Sequence, residues 1–151
     1  MFLQSATNLL CDTAIGNIKT NEIVAIDHVK ILHDQTVLTS YSLTYYVDRD
    51  LAQFRGALVQ LEDKDRNILR TENLDYNTRD SIAVFFGGGS MKDKDGQIIE
   101  SKSGTYDSKS KEFTFTDDVN MFTDSIFVKT TRLLYDAGRN IAHFGYGTNA
   151  W

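Results

Sequence analysis

Few residues in this 151-residue chain are of types that do chemistry, and they are scattered. His28, His33 and His143 stand apart, with no cysteine or serine spaced around them as a zinc site or a nucleophilic triad would require. Cys11 is the only cysteine, so no intrachain disulfide can form. It follows Asn8-Leu9-Leu10, which superficially imitates a lipoprotein signal. Leu10 is too large for the position before cleavage, and no apolar stretch precedes it. Asp63-Lys64-Asp65-Arg66-Asn67 imitates the start of a calcium loop, yet Ile68 stands where glycine is needed and Leu74 where the bidentate glutamate is needed. It reads as a hairpin turn, as does Asp93-Lys94-Asp95-Gly96. Gly87-Gly88-Gly89 sits within a strand-like stretch with no helix after it. That makes it a bulge or bend, or clearance for a ligand against the backbone, and not a phosphate cradle. No pair of acids breaks the pattern to face a cleft, as glycoside cleavage would need. The expectation is no catalytic residue, no metal and no cofactor.

The totals narrow the partners. A net charge of −5 and a pI near 5.1 argue against nucleic acid, whose non-specific binding needs a basic surface. A charged fraction of 25% is ordinary for a folded chain. Proline is absent, which suits long strands, because proline donates no ladder hydrogen bond. No run of about 20 apolar residues exists to span a membrane as a helix.

What could position side chains is a repeat. Tyrosines fall at Tyr45, Tyr76, Tyr106 and Tyr135, spaced by 31, 30 and 29 residues. Phe54, Phe85, Phe115 and Phe144 follow, each nine residues after its tyrosine. Leu43, Leu74, Gly104 and Leu133 precede the tyrosines by two, and Ala52, Ala83, Phe113 and Ala142 form a further column. A weaker copy at Gly16–Leu32 runs parallel to Tyr106–Phe122, offset by 90 residues. Such self-similarity marks stacked units, none able to bury its apolar face alone.

Turn residues recur every dozen or so positions between stretches rich in Thr, Tyr, Val and Phe, which is all-β spacing. About ten strands are expected, two per unit. One face of each strand carries apolar side chains: Ala52, Phe54, Gly56 and Leu58 in one unit, Phe113, Phe115, Asp117 and Val119 in another. Equivalent residues then stack into columns lining two facing sheets. Phe2, Leu3, Ala6, Leu9 and Leu10 admit either a short helical turn or a damaged first strand. The chain divides into a single domain over 1–151, with an irregular or capping segment at 1–15 and units near 16–37, 38–68, 69–98, 99–127 and 128–151. The abrupt stop at Trp151 points to a fragment.

The aromatic columns either fill a closed core or line an elongated apolar trough. A trough would suit acyl chains, because each buried methylene is worth roughly 0.8 kcal/mol. Its lining would be Leu43, Tyr45, Phe54, Leu58, Leu74, Tyr76, Phe85, Tyr106, Phe113, Phe115, Val119, Leu133, Tyr135 and Phe144.

Leu38-Thr-Ser-Tyr-Ser-Leu-Thr-Tyr45 with Leu51-Ala-Gln-Phe-Arg-Gly56 recurs as Leu69-Arg-Thr-Glu-Asn-Leu-Asp-Tyr76 with Ile82-Ala-Val-Phe-Phe-Gly87. These units resemble the repeat of the OstA/LptA-type (OstA-like) family of periplasmic lipopolysaccharide-transport proteins, over residues 16–147. The third copy departs from that habit, with Gly104 for leucine and Asp117 for glycine, and in the fourth Gly145 and Gly147 are displaced by one. The resemblance implies an open β-jellyroll, a taco-like stack of two facing sheets whose apolar interior carries lipid. It also implies head-to-tail association through unpaired strand edges, with other copies or with other jellyroll proteins of an envelope bridge. The implied setting is the periplasm, with no signal peptide in this chain. The expected function is therefore a non-catalytic module that binds and bridges lipopolysaccharide or another acylated lipid. The alternative is a structural or adhesive β-solenoid with a solid core. The acidic charge sits uneasily with phosphorylated lipid heads, although Arg49, Arg55, Arg66, Arg70 and Arg79 could supply a local rim.

Overall fold

A computed structural model describes residues 2–4, 7–144 and 149–150. Ser5, Ala6, Gly145, Tyr146, Gly147 and Trp151, on which some of the expectations above fall, lie outside the described residues.

The fold is all-β and jellyroll-like. The described strands are β1 (Phe2–Gln4), β2 (Thr7–Leu10), β3 (Thr13–Asn17), β4 (Glu22–His33), β5 (Thr36–Tyr46), β6 (Leu51–Glu62), β7 (Ile68–Asn77) and β8 (Ile82–Phe85). They continue as β9 (Gly89–Lys92), β10 (Ile98–Ser101), β11 (Ser103–Asp107), β12 (Glu112–Phe122), β13 (Phe127–Asp136), β14 (Ile141–Phe144) and β15 (Asn149–Ala150). The first dozen residues thus hold strands where a helical turn was an option. Fifteen described strands replace the expected ten or so: two expected long strands are each interrupted, giving β8 with β9 and β10 with β11, and the short strands β1, β2 and β15 add three more near the ends.

The interruptions lie on one line. Register shifts occur between Ile26 and Val29, Thr39 and Ser42, Arg55 and Val59, and Thr116 and Val119. Phe86–Gly88 and Lys102 take the same place where the strands break. Along this line the antiparallel ladder folds over, so that the two halves of each long strand belong to facing sheets. Bulges are how a strand bends without giving up its flanking ladder. The repeat shows in the backbone: Asp27 and His28 have φ of 64° and 51°, and Asp117 and Asp118 have 67° and 49°, the same paired left-handed bulge 90 residues later.

The bulge beside Gly56 corrects one expectation. Gly56 has φ of 151° and β6 carries extra residues there, so strict alternation fails. Val59 and Leu61 turn inward in place of Leu58, which is 54% exposed on the outside. Asp117 is exposed for the same reason.

The turns repeat as well. Asn21, Asp50, Ser81, Lys111 and Asn140 each have positive φ at the close of one set of turns. In that set the side chains of Asn17, Asn77, Asp107 and Asp136 accept hydrogen bonds from backbone N–H groups two or three residues on. The turn after Tyr46 differs: it is a 3-10 turn over Val47–Arg49 without a side-chain cap. Each turn is tied to the one before it: the N–H groups of Val47, Thr78, Ser108 and Ala137 donate to the carbonyls of Asn21, Asp50, Ser81 and Lys111.

Candidate functional site

The candidate site is the space between the two halves. Because pairing is in register over many strands, the sequence columns become straight rows. In one half, Tyr45, Ala52, Tyr76, Ala83, Tyr106, Phe113, Tyr135 and Ala142 are successive cross-strand partners. The neighbouring row runs Leu43, Phe54, Leu74, Phe85, Gly104, Phe115, Leu133 and Phe144. Tyrosine thus alternates with a small residue in one row, and leucine with phenylalanine in the other. The third unit inverts both rules together. Gly104 lies between Phe85 and Phe115, and Phe113 stands where the other units have alanine. A Cβ on Gly104 would come within 2.5 Å of the Phe85 ring, so ring volume fills what the missing leucine vacates.

The facing wall was not among the expected lining. It is aliphatic: Leu9, Ile31, Leu38, Leu61, Leu69, Met91, Ile99, Met121 and Val128 are consecutive partners and all buried. The signal for it was present, since Ile31, Leu61, Met91 and Met121 recur every 30 residues. An aromatic wall therefore faces an aliphatic one.

Twelve of the fourteen expected lining residues face this interior, each between 0 and 3% exposed. The exceptions are Leu58, placed outside by the bulge, and Phe144, which is 44% exposed on β14, a strand that pairs on one side only among the described residues. The interior is packed rather than gaping: Tyr106 stacks on Phe113 at 4.2 Å, and Phe113 lies parallel to Phe115 at 6.0 Å between centroids. Burial raises the pKa of the Tyr45, Tyr76, Tyr106 and Tyr135 hydroxyls above the usual range, with Tyr76 pushed up to about 12. The rows therefore remain neutral at physiological pH.

Opposite the fold line, the two sets of turns meet along a polar seam. Nε2 of His33 lies 3.0 Å from Ser81 Oγ and 3.2 Å from Asp34 Oδ2, while Nδ1 lies 2.6 Å from Thr7 Oγ1. Asp34 only accepts, so Nε2 carries the proton and Nδ1 accepts from Thr7. The His33 ring also sits edge-on to Tyr76, 5.4 Å between centroids. Further along, Lys111 Nζ is 3.9 Å from Asp65 Oδ2, and the Tyr135 hydroxyl donates to Asn140 at 2.5 Å and lies 3.4 Å from Asp93. The Tyr76 hydroxyl lies toward Ser81 and Ser108 but reaches hydrogen-bond geometry with neither. A hollow of roughly 190 Å³ opens in the seam, bordered by Asp34, Lys64, Tyr106 and Lys111 among others. Of the arginines considered for a rim, Arg49, Arg66 and Arg79 lie in these turns, whereas Arg55 and Arg70 lie on strands. Arg55 pairs with Asp75 at 2.8 Å.

Among the described residues no group of three or more His, Cys, Asp or Glu side chains could hold a metal. The turns at Asp63 and Asp93 are hairpin turns in which one carboxylate oxygen accepts two backbone N–H groups.

A family model described as OstA-like protein matches residues 1–131. No curated protein matches the chain. Among solved structures, it is similar to the crystal structure of LptH, described as the LptA homologous periplasmic component of the conserved lipopolysaccharide transport device from Pseudomonas aeruginosa. The identity is 16% and the TM-score 0.39, over 92% of this chain and 81% of that chain. That superposition is too loose to transfer any residue.

Proposed function

The chain belongs to the OstA-like protein family, and on that premise we propose that it is a non-catalytic module of the bacterial periplasm that binds lipopolysaccharide or a related acylated lipid. It would pass that lipid toward the outer membrane. The observation that supports this reading is the continuity of the interior. Two apolar rows on one wall and one on the other run from unit to unit. An acyl chain entering between them exchanges water for aromatic and aliphatic surface, worth roughly 0.8 kcal/mol per methylene.

Because the walls already touch, lipid enters by parting them. The fold line is held by continuous backbone, whereas the seam is held by a few polar contacts between turns, so the seam opens first. Strands β3 and β14 pair on one side only among the described residues, and Ile18 near the first is 98% exposed. These edges would take head-to-tail copies or other jellyroll proteins of an envelope bridge.

The packed interior favours a second reading, a scaffold with a solid core that assembles through the same edges. Purified protein mixed with lipopolysaccharide distinguishes the two. Saturable binding competed by lipid A, and abolished when a carbodiimide joins Lys111 to Asp65 across the seam, supports a lipid path. End-to-end oligomers without lipid uptake support the scaffold.

A further inference from the structure

The polar face of the molecule holds a hollow that the interior reading leaves unused. It is roughly 410 Å³, lies beside the fold line, and is lined by Arg70, Ser90, Glu100, Lys102, Asp118 and Asn120 above the glycines at 88 and 89. Arg70, Ser90, Glu100 and Asn120 are successive cross-strand partners on β7, β9, β10 and β12, forming one row on the outer face. Neighbouring strands lie roughly 4.8 Å apart, so the row sets out polar groups at nearly the repeat of a pyranose chain.

Three features make this more than a dip between side chains. The floor is fixed: Thr71 Oγ1 donates to the Gly88 carbonyl at 2.7 Å, and Gly88 N–H donates to the Lys102 carbonyl at 2.8 Å. A Cβ on Gly88 would meet nothing within 4 Å, so glycine leaves the floor open as well as supplying a φ of 101°. The third feature is the pairing of the polar groups. Lys102 and Asp118 take each other at 2.9 Å. Arg70 and Glu100, two strands apart, form no ion pair among the described residues. The amide nitrogen of Asn120 donates to Glu100 Oε1 at 3.4 Å, which steadies that carboxylate in the row.

The chemistry of the lining selects the ligand class. Positive and negative side chains balance, which disfavours an isolated anion or cation. No aromatic or aliphatic side chain lines the hollow, which disfavours an acyl chain. What remains is a neutral ligand dense in groups that both donate and accept. We propose that this outer hollow is a glycan-binding site, with Glu100 accepting from sugar hydroxyls and Arg70 donating to them. It is separate from the lipid path and stands whether or not that path is real.

The test is an amide chemical-shift titration of the intact chain with two probes, tetra-N-acetylchitotetraose and the O-deacylated core oligosaccharide of lipopolysaccharide. The expected result is saturable shifts confined to residues 70, 88–90, 100–102 and 118–120. The probe that causes them tells whether the glycan belongs to cell wall or to lipopolysaccharide. Glu100→Ala and Arg70→Ala should keep the rest of the spectrum and weaken binding about tenfold, the equivalent of one hydrogen bond to a charged partner. Ser90→Trp, which fills the hollow, should abolish it. Absence of saturable shifts with both probes overturns the proposal, as would inorganic phosphate alone producing the same shifts.

Discussion

His33 and Ser81 lie 48 residues apart in sequence, yet they meet across the seam with Nε2 3.0 Å from Oγ. One ends a strand of the aliphatic wall and the other closes a turn of the aromatic wall, so their contact joins the halves where no backbone ladder does.

His33 should make stability fall in acid. Burial lowers its pKa below the ordinary 6.5, the Lys109 charge acts in the same direction, and Asp34 opposes both. The folded state therefore keeps His33 neutral while the unfolded chain protonates it near 6.5. Its contribution is complete above that pH, declines as pH drops through it, and levels off below the folded pKa. His28 has the opposite sign, because its bond to Asp12 raises its pKa, so the comparison is best made in a His28→Gln background. Urea denaturation between about pH 8 and about pH 5 should show the slope, and His33→Gln should flatten it. A slope unchanged by His33→Gln would mean another group titrates.

Phe54 and Leu58 lie four residues apart on β6 and should answer very differently to substitution. Phe54→Ala removes a fully buried ring and should cost about 3–5 kcal/mol. Leu58→Ala acts on an outward bulge and should stay within about 0.5 kcal/mol. Phe54→Asp should unfold the chain, since it buries an unpaired charge. Equal costs at the two sites would mean the bulge is misplaced.

Gly104 and Phe113 should be energetically coupled. Gly104→Ala drives a Cβ against the Phe85 ring and the Thr114 carbonyl, an overpacking worth about 1–3 kcal/mol. Phe113→Ala alone opens a cavity. The double variant moves both positions toward the pattern of the other units and should be less destabilised than the sum of the two. A double-mutant cycle by chemical denaturation reads the coupling directly, and additivity would refute the compensation.

Asp34 and Gln35 form a two-residue turn with φ of 47° and 66°. Mirror-image turns of this kind favour glycine at the second place. Gln35→Gly should stabilise by about 1 kcal/mol, and Gln35→Val should destabilise, both read as thermal midpoint shifts.

Much of this molecule was written in the residue spacing. The tyrosine at every thirtieth position or so, the leucine two before it and the phenylalanine nine after it dictate strands of one length, turned at one interval and stacked in one register. That is local information, because strand periodicity and turn chemistry depend on neighbours a few residues away. It placed Tyr45, Phe54, Tyr76 and Phe85 on the buried face.

Only the tertiary structure decided the rest. Leu58 points outward because one glycine bulge adds residues that alternation does not count. The aliphatic wall of Ile31, Leu61, Met91 and Met121 was visible as a period but not as a partner. Which wall faces which depends on where the strands fold, and left-handed residues such as His28 and Asp118 set that line. The pairing of His33 with Ser81, and of Asp93 with Tyr135 42 residues on, depends on how two twisted halves are staggered when they close. No spacing rule encodes that offset, because it follows from packing whole sheets rather than from any one strand.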